Sequence, residues 1–371
     1  MRVFKYKVAT QCMTYNHRPY IEDALNGFVM QQTSFPVVYI IIDDASNDGE
    51  SVFLRNWACN NLDFDDKEVA YKKEMHYGEL FYARHKENSN AMFAILLLSE
   101  NHYQTGRDSD KLKYISVWCN NADYIAICEG DDYWTDPMKL HKQVKFMDAN
   151  NDYSLCFGDV LCYDFDSKQY EKSIGYYFKK QNIKLDHLTT KQAFYAILNN
   201  ECRIPTLTTL FRRDYLYKLK PNEVKFMMGD TPLWLDLSQH GKIKYFNEIF
   251  GTYTIHENSA SHPKDDKRWR FLLSMMEMRV YYCHKYSYDI PQKIKKLYNR
   301  ALTNILVYKI EYNPLYDFFC SSFVQKWHVK MIKKSPFYIK VLKLVFIPIN
   351  NFINLLIGKG KSIVCVIQNK F

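Results

Sequence analysis

The sequence lacks the short motifs that usually mark a thiolate metal site or a phosphate-binding loop. Its ten cysteines include no CxxC pair and no other zinc spacing, so we expect free thiols in a reducing compartment. Neither GxxxxGKS/T nor GxGxxG occurs, which excludes the usual glycine-rich cradles for nucleotide phosphates. A protein without such a cradle can still hold a diphosphate through a bridging divalent metal ion.

Acidic residues are missing from the end of the sequence. No Asp or Glu follows Asp317, whereas residues 318–371 hold nine lysines. This segment therefore accounts for the whole net charge of +9, and the first 317 residues are neutral overall. A neutral body argues against a nucleic-acid-binding protein, so we expect no nucleic acid among the partners.

Long apolar runs are missing from the same segment. Its uncharged stretch Leu344–Gly358 has 15 residues and contains Pro348, so it is too short to span a membrane comfortably. We expect residues 318–371 to form a basic, aromatic-flanked amphipathic surface that lies on an anionic leaflet. A soluble helical segment that packs on the rest of the chain is the alternative. The opening MRVFKYKVATQCMTYN passes from basic residues directly into a strand pattern, so we expect no signal peptide and a cytoplasmic location, peripheral on the membrane if the tail binds it.

Apolar periodicity predicts alternating strands and helices along the first two thirds of the sequence. The continuous β-branched run Val37–Ile42 is typical of a strand buried on both faces, and the apolar run Ala91–Leu98 fits either a helix or a strand. The predicted strands are Val8–Met13, Val37–Ile42, Tyr124–Cys128, Leu155–Tyr163, Thr206–Phe211 and Lys242–Phe246, and the predicted helices are Tyr20–Gln32, Ser51–Asn60 and Pro137–Asn150.

Two of the predicted buried strands run directly into clusters of carboxylates, DDASNDG and EGDDYWTDP. In open α/β sheets, ligands bind in the crevice outside the carboxyl ends of the strands. Asp131 and Asp132 would repel each other by about 1 kcal/mol in water and by about 4 kcal/mol at an effective dielectric constant of about 20. The nearest downstream basic residue is Lys139. A divalent cation would offset this repulsion, and carboxylate oxygens suit Mg²⁺ or Mn²⁺.

Five stretches of the sequence carry a resemblance to one known family. They are VATQCMTYNHRPYIEDAL, YIIIDDASNDG, YIAICEGDDYWTDPMKLHKQVKFMDAN, IPTLTTLFRR and MGDTPLWLDLSQHGKIKYFNEIFGTYTIHENSAS, and they run in family order over about residues 6–262. In these stretches the chain resembles a family 2 glycosyltransferase with the GT-A fold, of the bacterial kind that builds surface polysaccharides. The resemblance implies a GT-A domain over 1–262, an α/β fold with a mixed, mostly parallel sheet flanked by helices, and a mostly helical extension over 263–371.

The resemblance also implies a role for each matching residue. The nucleotide end would be lined by Thr14, Tyr15 and Asn16, and the base would be bound by Asp43 or Asp44. Asp131 would lie near the donor sugar or ribose. The metal ion would be held by Asp132, Glu129 and His256, and Asp230 would be the general base. The alternatives are packing for Tyr15, a helix N-cap for Asp230, and a capping or surface position for His256. The segment 68–119 fits the family only loosely, and its basic residues Arg107, Lys111 and Lys113 could approach phosphate.

Together these features predict an inverting, metal-assisted transfer of a sugar from a nucleotide-diphospho-sugar to a hydroxyl of a glycan or lipid-linked acceptor. Asp230 would accept the hydroxyl proton while the oxygen attacks the anomeric carbon from the side opposite the diphosphate. A nucleotidyltransferase would also place acids and a metal ion at strand ends, but the glycine- and arginine-rich opening of such enzymes is absent from the first strand and turn. A non-catalytic, membrane-docked scaffold on a degenerate transferase fold is the other alternative.

Overall fold

The computed structural model describes residues 5–171, 185–216, 218–219, 226–257, 265–308 and 310. The chain divides into two compact units, Met1–Pro221 with Asp236–Ile255, and Asn222–Leu235 with His256–Phe371. The basic tail over 318–371 lies outside the described residues, so its membrane interpretation stays a prediction. Among the helices that are described, none combines the length and the apolar character needed to cross a membrane.

The described residues form twelve strands and nine helices. The strands are β1 (Tyr6–Thr14), β2 (Val37–Asp43), β3 (Leu62–Asp63), β4 (Tyr71–Met75), β5 (Gly78–His85), β6 (Ala91–Leu98), β7 (Ala122–Ile127), β8 (Tyr133–Trp134), β9 (Tyr153–Asp164), β10 (Gln169–Glu171), β11 (Leu210–Arg212) and β12 (Lys242–Ile255). The helices are α1 (Ile21–Val29), α2 (Glu50–Asn61), α3 (Asp108–Cys119), α4 (Lys139–Ala149), α5 (Thr190–Leu198), α6 (Arg213–Leu216), α7 (Asp230–Leu237), α8 (Asp265–Lys285) and α9 (Gln292–Val307).

All twelve strands belong to one mixed sheet in the first unit. Its order is β3-β5-β6-β2-β1-β7-β11-β9-β12-β8, with β4 also paired to β5 and β10 to β9. The central strands β6, β2, β1 and β7 are parallel, as are β9 and β12, whereas the remaining pairs are antiparallel. Helices α1 to α4 pack against these strands. The predicted α/β fold, with a mostly parallel central sheet flanked by helices, is confirmed.

Burial explains why the central strands form. Every residue of β2 and of β6 is buried, as expected for parallel strands that are covered on both faces. Phe28 of α1 stacks on Tyr39 of β2 and meets the ring of Trp134 edge-on, both at 5.1 Å between ring centroids. A Cβ atom on Gly27 would lie 2.9 Å from the backbone nitrogen of Trp134, so the glycine lets α1 approach β8 closely.

The second unit is helical where it is described. Helices α8 and α9 pack against each other, and each buries large side chains, among them Leu273 and Tyr282 from α8 and Tyr298 and Leu302 from α9.

Several elements differ from the sequence-based expectation. The run Ala91–Leu98, for which the sequence allowed either a helix or a strand, is a strand. The segment 68–119 also contains the β4–β5 hairpin and helix α3, which the periodicity did not predict. The predicted strand Thr206–Phe211 begins instead as a 3₁₀ turn over Thr206–Thr208. There the Thr208 hydroxyl donates to the Pro205 carbonyl (2.8 Å), a local bond that competes with strand pairing. Strand β12 extends beyond the predicted end at Phe246 to Ile255. Its pairing with β9 shifts register between Tyr245 and Gly251, and such bulges let the strand continue through its polar residues.

The order of the strands positions the site. Strand β1 lies between β2 and β7. The connection after β1 therefore leads to the neighbouring strand on one side, β2, and the chain later adds β7 as the neighbouring strand on the other side. Such a switch in strand order opens a crevice at the carboxyl ends of the strands. The carboxylate clusters DDASNDG and EGDDYWTDP follow β2 and β7, and therefore lie on either side of this crevice.

Candidate functional site

The carboxyl ends of β1, β2 and β7 bring polar side chains to one edge of the sheet. Thr14, the last residue of β1, is paired in register with Asp43, the last residue of β2. The turn that follows β7 is fastened to β1, because the Gly130 N–H donates to the Met13 carbonyl at 3.1 Å. Three segments that are far apart in sequence therefore meet around Thr14.

Position 130 of the EGDD turn requires a glycine, because the side chains of Thr14 and His17 lie too close to its backbone for a Cβ atom. A Cβ atom at this position would lie 2.2 Å from Thr14 Oγ1 and 3.2 Å from His17 Nδ1. Real Cβ contacts are longer, so only glycine lets these two side chains pack directly on the backbone of the turn. The glycine between the acids is thus explained by packing.

Glu50 is the buried centre of this part of the site. It begins α2, and its carboxylate accepts the Thr14 hydroxyl (2.5 Å), the backbone N–H of His17 (2.8 Å) and the hydroxyl of Ser46 (2.9 Å). Burial raises the pKa of Glu50 to about 7, against the lowering effect of the hydrogen bonds from Thr14 and His17. Sequence reasoning missed this residue, because an acid in the first turn of a helix is usually explained by the helix dipole alone.

His17 connects this buried group to the acidic turn. Its Nδ1 lies 3.2 Å from Thr14 Oγ1, and its Nε2 lies 3.8 Å from Asp131 Oδ2. The side chains of His17 and Asp131 are 19% and 18% exposed, so both are accessible from the crevice. His17 was not among the predicted site residues, since a single histidine within a turn carries no distinctive sequence signal.

Asp132 lies deeper than Asp131. The turn closes with a bond from the Asp132 N–H to the Glu129 carbonyl (3.2 Å), and Asp132 Oδ1 accepts the backbone N–H of Thr254 on β12 (2.9 Å). Burial, with added repulsion from Asp131 and Glu129, raises the pKa of Asp132 well above its ordinary value. The repulsion inferred from the sequence is therefore present, and a nearby cation would relieve it.

Asp43 and Asp44, predicted to bind a base, are both committed to protein partners. Asp43 accepts the backbone N–H of Ser46 (3.0 Å) and the hydroxyls of Ser46 and Ser51, and burial raises its pKa. Asp44 accepts three bonds from the segment 102–111. A carboxylate offers about four lone-pair positions, so each residue retains about one for a ligand.

The three basic residues considered for phosphate in the loosely matching segment each pair with an aspartate. Lys111, buried in α3, places its ammonium group 2.6 Å from Asp44 and 3.0 Å from Asp108. Arg107 and Lys113 instead pair with Asp110 at 3.2 Å and 2.7 Å. Lys111 thus stabilises a buried acid.

Asn16 and Tyr15 shape the predicted nucleotide end of the crevice. Asn16 has a left-handed backbone (φ 57°), a conformation that asparagine tolerates better than most residues. Its N–H donates to the Ser46 hydroxyl (2.8 Å), and its side-chain oxygen accepts the N–H of Asn47 (2.9 Å). The Tyr15 hydroxyl accepts a bond from Gln104 (3.5 Å), so these residues tie the first turn to the loops after β2 and β6.

The remaining two predicted site residues belong to the second unit. Asp230 is exposed and is the first residue of α7, with Oδ1 accepting the N–H of Thr231 at 2.6 Å. His256 is buried and follows the last residue of β12. Helix α7 begins at Asp230, and the catalytic role assigned to this residue stays a prediction.

The second half of EGDDYWTDP supports the turn. The Trp134 indole donates to the Leu207 carbonyl (2.6 Å), and β8 pairs with Gly251 and Thr252 of β12. Behind it, the ammonium group of buried Lys139 lies 4.1 Å from the Trp134 ring centroid and 2.9 Å from Gln143 Oε1. Burial lowers the pKa of Lys139 to about 7.

Comparisons with known proteins give distant similarities. No protein-family model matches the chain. It is 28% identical over 261 residues to the uncharacterized protein Rv1520 of Mycobacterium tuberculosis strain H37Rv and to the uncharacterized protein Mb1547 of Mycobacterium bovis. The match covers 70% of this chain and 62% of each relative, so the chain spans less than two thirds of their length.

Two solved structures are similar to the chain at low identity. One is TarS 1–349 of S. aureus in complex with UDP-GlcNAc, with 13% identity, 82% of this chain and 76% of that chain covered, and a TM-score of 0.47. The other is the mannosyltransferase PcManGT of Pyrobaculum calidifontis in complex with GDP-Man and Mn²⁺, with 12% identity, 89% and 86% covered, and a TM-score of 0.47.

Proposed function

We propose that the chain is an inverting glycosyltransferase that moves a sugar from a nucleotide-diphospho-sugar to a hydroxyl of a glycan or lipid-linked acceptor, assisted by a divalent metal ion. The observation that carries the proposal is the EGDD turn. It follows a central parallel strand at the switch in strand order, and it presents Asp131 to the crevice with Asp132 buried behind it.

The donor groups of this turn suit a hard divalent cation. Asp132 is buried next to two other carboxylates, which raises its pKa, so its ionised form needs a positive charge nearby. Asp131, Asp132 and Glu129 supply carboxylate oxygens of the kind that Mg²⁺ and Mn²⁺ bind. His256 follows Thr254, whose N–H is bonded to Asp132, by two residues. We propose His256 as a further ligand of the ion on the basis of the family resemblance alone.

The bound ion would supply Lewis-acid stabilisation of the leaving diphosphate. The chain's own groups would orient the donor. Thr14, Tyr15 and Asn16 would border the nucleotide, and Asp43 and Asp44 would each offer the base one remaining lone pair. The loops that carry these residues are already fastened to one another by Glu50, Ser46 and Asn47, and such preorganisation lowers the entropic cost of binding.

Asp230 would accept the proton of the attacking hydroxyl. A sugar hydroxyl does not ionise at neutral pH, so the attack needs a positioned base. An exposed carboxylate at the start of a helix is open to an acceptor. General-base catalysis typically contributes about 10²–10⁴-fold, and we expect Asp230→Asn to lower turnover by that factor. Donor affinity should be unchanged, because the lost interaction belongs to the transition state.

Donor binding is the first test of this function. The full chain is screened with Mn²⁺ against a panel of nucleotide sugars, including the UDP-GlcNAc and GDP-Man found in the similar structures. A donor present at about 100 times its dissociation constant stabilises the folded protein by about 2.7 kcal/mol, which a thermal shift detects. If no donor stabilises the protein, the proposal fails.

Turnover is the second test. Transfer from the stabilising donor is measured with and without EDTA, and for Asp230→Asn beside Asp214→Asn, which alters an aspartate whose side chain is 73% exposed in α6. We expect EDTA and Asp230→Asn to abolish or strongly reduce transfer, and Asp214→Asn to leave it unchanged. Full activity in EDTA would refute the metal-assisted mechanism, and near-normal turnover of Asp230→Asn would refute the base.

A lipid-linked acceptor would also require access to a membrane. We propose that the lysine-rich segment 318–371 supplies it, since each lysine near an anionic leaflet contributes about 1 kcal/mol. Flotation with anionic liposomes at low salt tests this. A chain that stays unbound, or that binds neutral liposomes equally well, contradicts the electrostatic mechanism.

A further inference from the structure

The hydrogen bonds around Thr14 determine which nitrogen of His17 carries a proton. A threonine hydroxyl has a single hydrogen, and Thr14 donates it to Glu50 at 2.5 Å. Thr14 Oγ1 can therefore only accept from His17 Nδ1, which lies 3.2 Å away. While Glu50 is ionised and accepts the Thr14 hydroxyl, Nδ1 of a neutral His17 carries the hydrogen and Nε2 carries the lone pair.

The Nε2 atom lies near a carboxylate. Nε2 lies 3.8 Å from Asp131 Oδ2, beyond hydrogen-bonding distance. In the octahedral geometry of Mg²⁺, bonds of about 2.0–2.1 Å place two adjacent ligand atoms about 2.8–3.0 Å apart. The two atoms would have to approach each other by about 0.8–1.0 Å to bind one ion. In the part of the chain that the structure describes, ligand atoms of His17 and Asp131 lie within 4.8 Å of each other, which is close enough for both to hold one metal ion.

The same contacts hold His17 in place before any ion arrives. Glu50 accepts both the Thr14 hydroxyl and the backbone N–H of His17, so it fixes the ring through Thr14 and the backbone directly. Gly130 removes the Cβ that would otherwise collide with Thr14 and crowd His17 Nδ1. A second group that orients a ligating histidine through its other nitrogen is a common feature of protein metal sites.

We propose that His17 is a ligand of the divalent metal ion, shared with Asp131, and that Thr14 and Glu50 are positioning residues that hold its Nε2 lone pair toward the ion. The role of the ion in catalysis rests on the proposed function, whereas the assignment of His17 as its ligand does not. Binding of the ion itself is tested without any nucleotide sugar.

The experiment titrates the full chain with Mn²⁺ alone, in a buffer that keeps Glu50 ionised, and follows free Mn²⁺ by electron paramagnetic resonance. His17→Ala should weaken binding tenfold or more. Thr14→Val keeps the shape but removes the hydroxyl, and should weaken binding by about 10–100-fold, the usual effect of losing a residue that orients a ligand. Thr14→Ser should restore wild-type affinity. His76→Ala, which alters an exposed histidine outside the site, should change nothing.

Spectroscopy separates positioning from a general loss of structure. Electron spin-echo modulation of bound Mn²⁺ should show an imidazole nitrogen that weakens in His17→Ala. Nitrogen-15 spectra of the metal-free protein should show His17 with the hydrogen on Nδ1 in the wild type, and on Nε2 in a fraction of Thr14→Val molecules. Far-UV circular dichroism and melting curves confirm that each variant is folded.

Three results would overturn the inference: equal Mn²⁺ affinity of wild type and His17→Ala, a doubly protonated His17 whose signals ignore Mn²⁺, or no Mn²⁺ binding by the wild type at millimolar concentration. The outcomes are independent of the glycosyltransferase proposal. Metal-dependent transfer with an unaffected His17→Ala variant would remove His17 from the site and keep the function. Mn²⁺ binding through His17, in a protein that no nucleotide sugar stabilises, would keep His17 in the metal site and contradict the glycosyltransferase proposal.

Discussion

Replacing Lys111 by methionine tests whether the crevice depends on a buried ion pair. The Lys111 ammonium group lies 2.6 Å from Asp44, and the two side chains are 9% and 5% exposed. Asp44 in turn accepts the backbone N–H groups of His102 (2.7 Å) and Tyr103 (3.1 Å). Methionine retains an apolar stem of similar length but leaves the Asp44 carboxylate buried without its cation. Removing one partner of a buried pair typically costs about 3–5 kcal/mol, and we expect a loss of that size in the free energy of unfolding.

A matched control lies two residues further along the same helix. Lys113 also pairs with an aspartate, Asp110, at 2.7 Å, but its side chain is 74% exposed, and solvent screens such pairs. Lys113→Met should therefore leave the unfolding curve close to wild type. The double variant Asp44→Asn/Lys111→Met should lose less than Lys111→Met alone, because no uncompensated charge stays buried. Urea titration followed by circular dichroism measures all four proteins. Equal stability of Lys111→Met and Lys113→Met would refute the argument.

Two further predictions concern the support of the EGDD turn. Gly130→Ala should displace Thr14 and His17, so at a temperature where the variant is folded it should bind Mn²⁺ more weakly than wild type does. A loss of Mn²⁺ affinity that appears only at temperatures where the variant unfolds would contradict this. The pKa of Lys139 is lowered by burial from 10.5 to about 7, so between these values the unfolded chain binds one more proton than the native chain. The free energy of unfolding should then rise by about 1.4 kcal/mol per pH unit in wild type relative to Lys139→Met, and curves that stay parallel between about pH 7.5 and 9.5 would contradict this.

The sequence predicted the central part of the fold because its strands are continuous apolar runs. Val37–Ile42 and Tyr124–Cys128 each correspond to a buried parallel strand, observed as Val37–Asp43 and Ala122–Ile127, since a run without alternation suits burial on both faces. The β4–β5 hairpin was missed for the opposite reason. Strand β4 reads YKKEM and is mostly exposed, so it carries no apolar period, and only its backbone pairing with β5 makes it a strand.

The position of an acidic residue at the edge of the sheet could be predicted where it follows an apolar strand, whereas contacts between distant segments could not. The acids of EGDD could be located from strand ends and charge repulsion alone. The roles of Glu50 and His17 depend on distances across three segments that no local pattern encodes. Lys111 pairs with Asp44, 67 residues away in sequence, a contact equally hidden from periodicity.

The acidic residues at this edge of the sheet perform two physically different tasks, and activity measurements alone would confuse them. Glu50, Asp44 and Asp132 each accept a backbone N–H from another segment, namely His17, His102 and Thr254. Such charge-assisted bonds hold loops together, and losing an acceptor leaves a buried donor unsatisfied at a cost of about 1–3 kcal/mol. Asp131, which lies near His17, would serve the proposed ion, and Asp132 would do so as well through lone pairs that Thr254 does not use. Under the proposed function, replacing any of these acids would lower turnover, because a loosened loop would misplace the donor just as a lost metal ligand would. Mn²⁺ affinity, measured apart from both turnover and stability, is therefore the quantity that distinguishes an acid that binds the ion from one that shapes its site.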